Sequence, residues 1–282
     1  MNRLLVEAFA RWSGTLTGEG FRRLVRRANR YKRLPLEFRV AIDADERAHY
    51  TYCVYHAARL ARRLNLTKMA VVEFGVAGGN GLIFLEGLAP EIRDSLGIDL
   101  EIYGFDSAQG LPPSIKPEDL PYAAKAGSFK MDLDALRARL ALAKLVIGDV
   151  KETVPGFFQK FSPAPVGVVL IDLDLYTPTT AALQLLAAHP QNFLPRVFCY
   201  FDDITGNEVE MFSECNGELL AISEFNRDQK SVYLGLNRNL LAKNHVSYRY
   251  SIYHAHLRTH PQYSTYVGGA ELDILEQNLR LK

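Results

Sequence analysis

The stretch Met69-Ala-Val-Val-Glu73-Phe-Gly75-Val-Ala77-Gly78-Gly79-Asn80-Gly81 reads as a buried strand, a glycine turn and the opening of a helix. Four further apolar runs also end in a carboxylate: Ile102-Tyr-Gly-Phe-Asp106, Leu145-Val-Ile-Gly-Asp149, Gly167-Val-Val-Leu-Ile-Asp172 and Val197-Phe-Cys-Tyr-Phe-Asp202. Uninterrupted Val/Ile/Leu/Phe runs of this length, with helical stretches between them, are the pattern of strands buried on both faces of a parallel sheet. Parallel strands bring their last residues to one edge, and open α/β sheets bind ligands at that edge. Carboxylates gathered there are costly unless something positive or rich in hydroxyls lies among them. The site is therefore expected at the carboxyl edge.

Outward from this stretch, strands are expected over 69–76, 100–106, 144–149, 166–174, 196–204, 231–237 and 247–256. Helices are expected over 43–64, 79–88, 133–143, 177–188 and 217–228. The Pro-rich stretch 110–121 reads as an ordered loop long enough to be functional. Residues 20–33 set Phe21, Leu24, Val25 and Ala28 at helical spacing with arginines on the other face. Such a basic helix can lie on an anionic membrane, dock on a partner, or pack on its own domain with its arginines solvated. The last of these is the favoured reading.

Composition limits the function classes. Lys and Arg number 33 against 32 Asp and Glu, a formal net charge of +1, which disfavours nucleic acid as the main partner. Residues 1–35 carry nine basic side chains against Glu7 and Glu19, about +7, which leaves −6 for the remainder. Cys53, Cys199 and Cys215 are odd in number and scattered, so neither a disulfide framework nor a zinc knuckle is indicated. No apolar run approaches bilayer length, and the N-terminus lacks a secretory signal pattern. A cytoplasmic enzyme is expected. A homo-oligomer is left open.

The motifs differ in specificity. Glycines 75, 78 and 79 let backbone approach a nucleotide, but dehydrogenases carry such a turn too. Two features favour S-adenosylmethionine: an acid, Glu73, two residues ahead of Gly75, and a next strand-end acid, Asp106, 31 residues after Gly75 where a dinucleotide fingerprint expects roughly 20. Asp106 with Ser107 is placed to accept ribose hydroxyls, or else to cap a helix. Asp149 can neighbour an adenine or serve a plain turn. Asp172 and Asp174 alternate onto one face of a strand end, and Asp202 and Asp203 lie beside them if the fifth strand is adjacent. Converging carboxylates raise one another's pKa, and an oxygen-loving divalent cation resolves the conflict; caps and arginine pairs are the alternative.

Together, Glu73-Phe-Gly-Val-x-x-Gly79, Gly-Phe-Asp106-Ser-x-x-Gly-Leu-Pro112, Gly-Asp149-x-x-Glu-Thr-x-Pro155, Asp172-Leu-Asp174-Leu-Tyr176 and Asp202-Asp203 resemble the macrocin-type O-methyltransferases, class I S-adenosylmethionine enzymes that methylate sugar hydroxyls. The resemblance covers roughly residues 69–205. It implies a Rossmann-like α/β fold with a mostly parallel seven-stranded sheet whose last strand is antiparallel. It implies magnesium held by Asp172, Asp202 and Asp203, and cofactor contacts from Glu73, the glycine turn (Gly75, Ala77, Gly79) and Asp106; Ser107 and Asp149 are the further cofactor-binding candidates. Residues 1–65 then form a helical N-terminal extension, a lid or docking segment, and 66–282 the methyltransferase domain.

The expected chemistry is methyl transfer to a hydroxyl of a small metabolite or sugar, with Asp172 and Asp174 as catalytic residues. His245, His254 and His256 are further base candidates, and Tyr122, Tyr176, Tyr253, Tyr263 and Tyr266 are candidates to flank the acceptor. Two competing readings are a nicotinamide-dependent oxidoreductase and a non-catalytic scaffold docking through its basic helix.

Overall fold

The computed structural model describes residues 34–114, 116–244 and 246–269. The basic segment 20–33 and His245 lie outside them. In chain order the elements are α1 (Leu36–Ala41), α2 (Ala48–Arg63), β1 (Lys68–Phe74), α3 (Asn80–Leu96), β2 (Asp99–Asp106), α4 (Leu133–Arg139), β3 (Lys144–Ile147), α5 (Val150–Thr153), α6 (Phe157–Phe161), β4 (Val166–Ile171), α7 (Tyr176–Leu183), β5 (Phe193–Phe201), α8 (Gly217–Asp228), β6 (Val232–Leu236), α9 (Arg238–Leu241) and β7 (Ile252–Leu257).

The strands form one seven-stranded sheet in the order β3-β2-β1-β4-β5-β7-β6. Strands β1 to β5 pair in parallel, and β7 runs antiparallel to both β5 and β6. This is the Rossmann-like, mostly parallel plan that the resemblance leads one to expect, reversed strand included. The order turns back on itself between β1 and β4, the kind of switch point that opens a crevice at the carboxyl edge.

Alternation along the central strands builds two cores. Met69 and Val71 of β1 face a cluster completed by α2 and α3. Ala70, Val72 and Phe74 face a second cluster completed by α5, α6, the end of α7, and α8. Both faces are covered, so β4 is buried at every position, as its unbroken Val-Gly-Val-Val-Leu-Ile run requires. Helix α2 belongs to the first core: Tyr50, Cys53, Val54, Ala57, Ala58 and Ala61 are buried within it.

Several boundaries differ from expectation; β5, for one, spans 193–201 rather than 196–204, and α7 ends at Leu183 rather than at 188. Helix α3 runs through Pro90 to Leu96, because Leu88, Ala89 and Ile92 continue its buried stripe. Strand β4 stops at Ile171, since the backbone turns at Asp174 with a positive φ of 59°. Strand β7 begins at Ile252: residues 247–251 form a turn that buries Tyr248, whose hydroxyl donates to Asp43. None of the described helices is long and apolar enough to cross a membrane.

Candidate active site

The glycine turn leaves β1 at Gly75, whose φ is +83°. A Cβ there would lie 1.7 Å from the carbonyl oxygen of Asp172, so the close approach of the β1 and β4 ends admits only glycine. Ala77 also has positive φ, at 44°, and Gly79 precedes the first residue of α3. Asp106, at the end of β2, holds this turn in shape. Its Oδ2 accepts the N–H groups of Val76 and Ala77, each at 2.9 Å, and its Oδ1 accepts that of Ala108 at 2.6 Å. Ser107 Oγ accepts from the Gln109 N–H at 3.1 Å and donates to the Gly110 carbonyl at 3.3 Å.

Glu73 lies beneath the turn rather than on the cavity wall. It is buried, with Oε1 accepting from the Tyr50 hydroxyl at 2.9 Å and Oε2 without a hydrogen-bond partner. Burial pushes its pKa up to about 8, with the Tyr50 hydrogen bond and the positive Arg47 pulling the other way. Asp149 accepts the Lys151 N–H at 2.8 Å and so caps α5, while also facing the cavity.

On the β4 and β5 side, Asp172, Asp174 and Asp203 each present a carboxylate oxygen, and these lie within 4.8 Å of one another. The arrangement is built by backbone. The Leu175 N–H reaches back to the Leu173 carbonyl at 2.6 Å, a γ-turn centred on Asp174, a conformation that non-glycine residues adopt at a cost of order 1–3 kcal/mol. The Asp174 N–H donates to Asp203 Oδ2 at 2.8 Å. Behind both loops sits Glu218, fully buried in the first turn of α8, accepting the N–H groups of Leu173 at 3.4 Å and Asp203 at 3.2 Å.

Electrostatics at this cluster are those of carboxylates crowded together in a partly buried site. Burial, followed by the neighbouring Asp202 and Asp174, lifts Asp172 to about 7. Burial, then Asp202 and Glu210, lifts Asp174 to about 6, and burial with Asp174 and Asp172 lifts Asp203 to about 8. Glu218 is raised well above the carboxylate range by burial and then by Asp203. Arg47, at the start of α2, opposes the shift at Asp172, but its guanidinium sits 5.1 Å from the centre of the Tyr50 ring, and no ion pair ties it to the cluster.

Both sides meet in one cavity of about 430 Å³. Gly75, Ala77, Asp106, Ser107 and Asp149 form one wall, and Asp172, Asp174, Asp202 and Asp203 the other, with Leu111, Pro112 and Phe129 of the long loop alongside. Of the expected site residues, only Glu73 and Gly79 are off this wall. Asp202 lines the cavity but stands apart from the close trio; it is exposed, and its carboxylate accepts the Tyr200 hydroxyl. None of the five candidate tyrosines lines the cavity. Tyr176 donates to Glu224 at 2.6 Å, Tyr122 to the Glu210 carbonyl at 3.1 Å, and Tyr263 packs beneath Arg196. The aromatic side chain on the wall is Phe129, which sequence pattern did not single out. His254 and His256 line a different pocket.

No family model matches this chain, and no curated protein matches it. Among solved structures, the O-methyltransferase NovP aligns at 17% identity and a TM-score of 0.49, over 71% of this chain and 76% of that one. The calicheamicin methyltransferase CalS11 aligns at 18% identity and a TM-score of 0.46, over 86% of this chain and 93% of its own. The plantazolicin methyltransferase BamL, solved with SAH and a substrate analogue, aligns at 11% identity and a TM-score of 0.39. Likeness at this level leaves the fold resting on the sheet order and the site resting on its own geometry.

Proposed function

We propose that this chain is an S-adenosylmethionine-dependent methyltransferase acting on a hydroxyl of a small metabolite or sugar, with a magnesium ion held by carboxylates. One observation carries the reading: the glycine turn with its Asp106 anchor and the acid trio face one another across a single cavity at the carboxyl edge. The cofactor suits the first wall. Gly75 leaves no space for a side chain, and Asp106 keeps lone pairs beyond the three N–H groups it accepts. Asp106 would accept the ribose hydroxyls, and Asp149 and Ser107 would border the nucleoside.

The cation suits the second wall, because three oxygen donors with mutually raised pKa values match a hard divalent ion better than zinc. Asp172 and Asp203 come from the set the resemblance implied; the geometry supports Asp174 as the third ligand in place of Asp202. When bound, magnesium lowers the pKa of an acceptor hydroxyl and so eases its deprotonation. The chain's own residues would align the acceptor oxygen behind the sulfonium methyl, with Leu111, Pro112 and Phe129 as the apolar side of the cavity. As the oxygen–carbon bond forms, the carbon–sulfur bond breaks. S-adenosylhomocysteine leaves neutral, and the acceptor proton passes to a carboxylate oxygen of Asp174 or Asp172.

Titration calorimetry with S-adenosylhomocysteine and, separately, NAD tests the cofactor; micromolar heat is expected from the first alone, and NAD binding without it overturns the reading. A screen of hydroxylated acceptors with labelled S-adenosylmethionine, with magnesium or with EDTA, tests the reaction. Transfer to nitrogen that ignores EDTA would sink both the metal and the hydroxyl.

A further inference from the structure

Pairing between β4 and β5 ends at Ile171 and Phe201, just short of the acid trio. The Asp172 N–H still donates to the Phe74 carbonyl and the Asp202 N–H to that of Ile171, each at 3.0 Å. One residue further out on each chain, the N–H groups turn to a side chain instead. Leu173 donates to Glu218 Oε1 at 3.4 Å, and Asp203 donates to Glu218 Oε2 at 3.2 Å. A carboxylate from α8 thus stands where the sheet has run out of carbonyls.

As a tie between two loops this carboxylate is costly. Glu218 is fully buried, and the charges acting on it most strongly are the like charges of Asp203 and Asp172. Burying an acid beside two others opposes folding unless something positive offsets them. The dipole at the start of α8 favours an acid there, but a solvent-facing acid would satisfy it equally. What the burial achieves is geometric. The two oxygens share one carbon, so they hold the two N–H groups at a single separation. Leu173 lies between Asp172 and Asp174, and Asp203 belongs to the trio itself. Fixing those two amides fixes the backbone from which all three carboxylates project.

We infer that Glu218 is a positioning residue of the cation site, an inference that rests on the cation proposed above. It locks the β4 and β5 loops so that the oxygens of Asp172, Asp174 and Asp203 converge before an ion is bound. Removing an outer partner of this kind costs about 10–100-fold in metal affinity. Glutamine keeps the reach of Glu218 but offers one acceptor oxygen, so in Glu218→Gln one of the two N–H groups faces an amide N–H₂ and its loop is released.

The test titrates the full chain with Tb³⁺, a hard ion that prefers oxygen ligands and whose luminescence lifetimes in H₂O and D₂O count its bound waters. S-adenosylhomocysteine calorimetry runs beside it. In Glu218→Gln, Tb³⁺ affinity should fall at least about tenfold. The ion should also gain about one water where a carboxylate has let go, while S-adenosylhomocysteine affinity is unchanged. Weaker binding at the same water count would reduce Glu218 to a distant charge and overturn the inference. Parent-like Tb³⁺ binding in Glu218→Gln overturns it too, but leaves the cation reading standing. No saturable Tb³⁺ binding by the parent chain, or binding that Asp203→Asn leaves unchanged, sinks the cation reading and the inference with it. Should Glu218→Gln fail to fold, amide exchange on the metal-free parent chain decides. The Leu173 and Asp203 N–H groups should then be protected, and exchange at the rate of a free loop overturns the inference.

Discussion

Two cavities of opposite sign lie along strand β5, one just beyond its C-terminal end and one against its face. Asp202 and Asp203, just beyond β5, line the acidic cavity; His56, Arg59 and Arg63 of α2 face Arg196 and Phe198 of β5 in the basic one. The two respond to burial differently. Carboxylates can relieve their repulsion by taking up protons, so Asp172 rises to about 7 and Asp203 to about 8. Arginines have no such escape, and burial, followed by the charge of Arg59, lowers His56 beside them to about 3. The acidic cavity is thus tunable by pH across the neutral range, and the basic one is not.

The largest expected effect comes from the backbone contact on which the acidic cavity stands. Gly75→Ala would place a methyl 1.7 Å from the Asp172 carbonyl at a φ of +83°. Destabilisation of at least about 3 kcal/mol by denaturant unfolding is expected, together with loss of S-adenosylhomocysteine binding. A well-folded variant that binds the cofactor would show that the two walls are not coupled through this contact. Next comes Asp203→Asn, which keeps shape and removes charge. Turnover should fall about 10²–10³-fold, while S-adenosylhomocysteine affinity stays within roughly twofold, since Asp203 faces the wall opposite Asp106.

The acidic cavity was largely legible because each of its walls is a strand end, and an apolar run ending in Glu or Asp marks one. Even so, Leu173 prolonged the apolar look of β4 and hid the γ-turn that brings Asp174 to Asp203. Glu218 was invisible: an acid in the first turn of an amphipathic helix is ordinary, and nothing local says that its carboxylate ties two loops from elsewhere. The Tyr50 bond to Glu73 spans 23 residues and left no pattern either. The basic pocket was illegible for the same reason. Arg59 and Arg63 look like a solvated helix face until β5 and β7 are laid across them.

The third expected effect sharpens the claim of tunability. Because the folded pKa values of Asp172, Asp203 and Glu73 stand above their unfolded ones, their protonated forms stabilise the metal-free fold. That contribution is fully present below about pH 4 and lost as pH rises through about 7 to 8. His49 and His56, lowered to about 3, work in the opposite sense, but only below about 6.5. Between pH 6.5 and 8 the acids act alone, so the melting temperature in EDTA should fall across that window. Magnesium, which needs ionised ligands, should restore it by about 3–6 °C at pH 8 and by less at pH 6.5. An equal shift at both values, or none, would break the metal assignment without touching the cofactor site.

The smallest effect separates two roles of one residue on the cofactor wall. Asp149 caps α5 through the Lys151 N–H and also lines the cavity beside Asp106. Asp149→Ala removes both roles and should cost about 1 kcal/mol of stability. Asparagine caps about as well as aspartate, so Asp149→Asn should melt like the parent chain. If the Asp149 charge also accepts from the nucleoside, asparagine should still weaken S-adenosylhomocysteine by roughly three- to tenfold, less than the loss of a whole hydrogen bond to a charged group because the amide oxygen still accepts. Wild-type affinity in Asp149→Asn, with the loss confined to alanine, would reduce Asp149 to a helix cap. The nucleoside contacts would then rest on Asp106 and Ser107 alone.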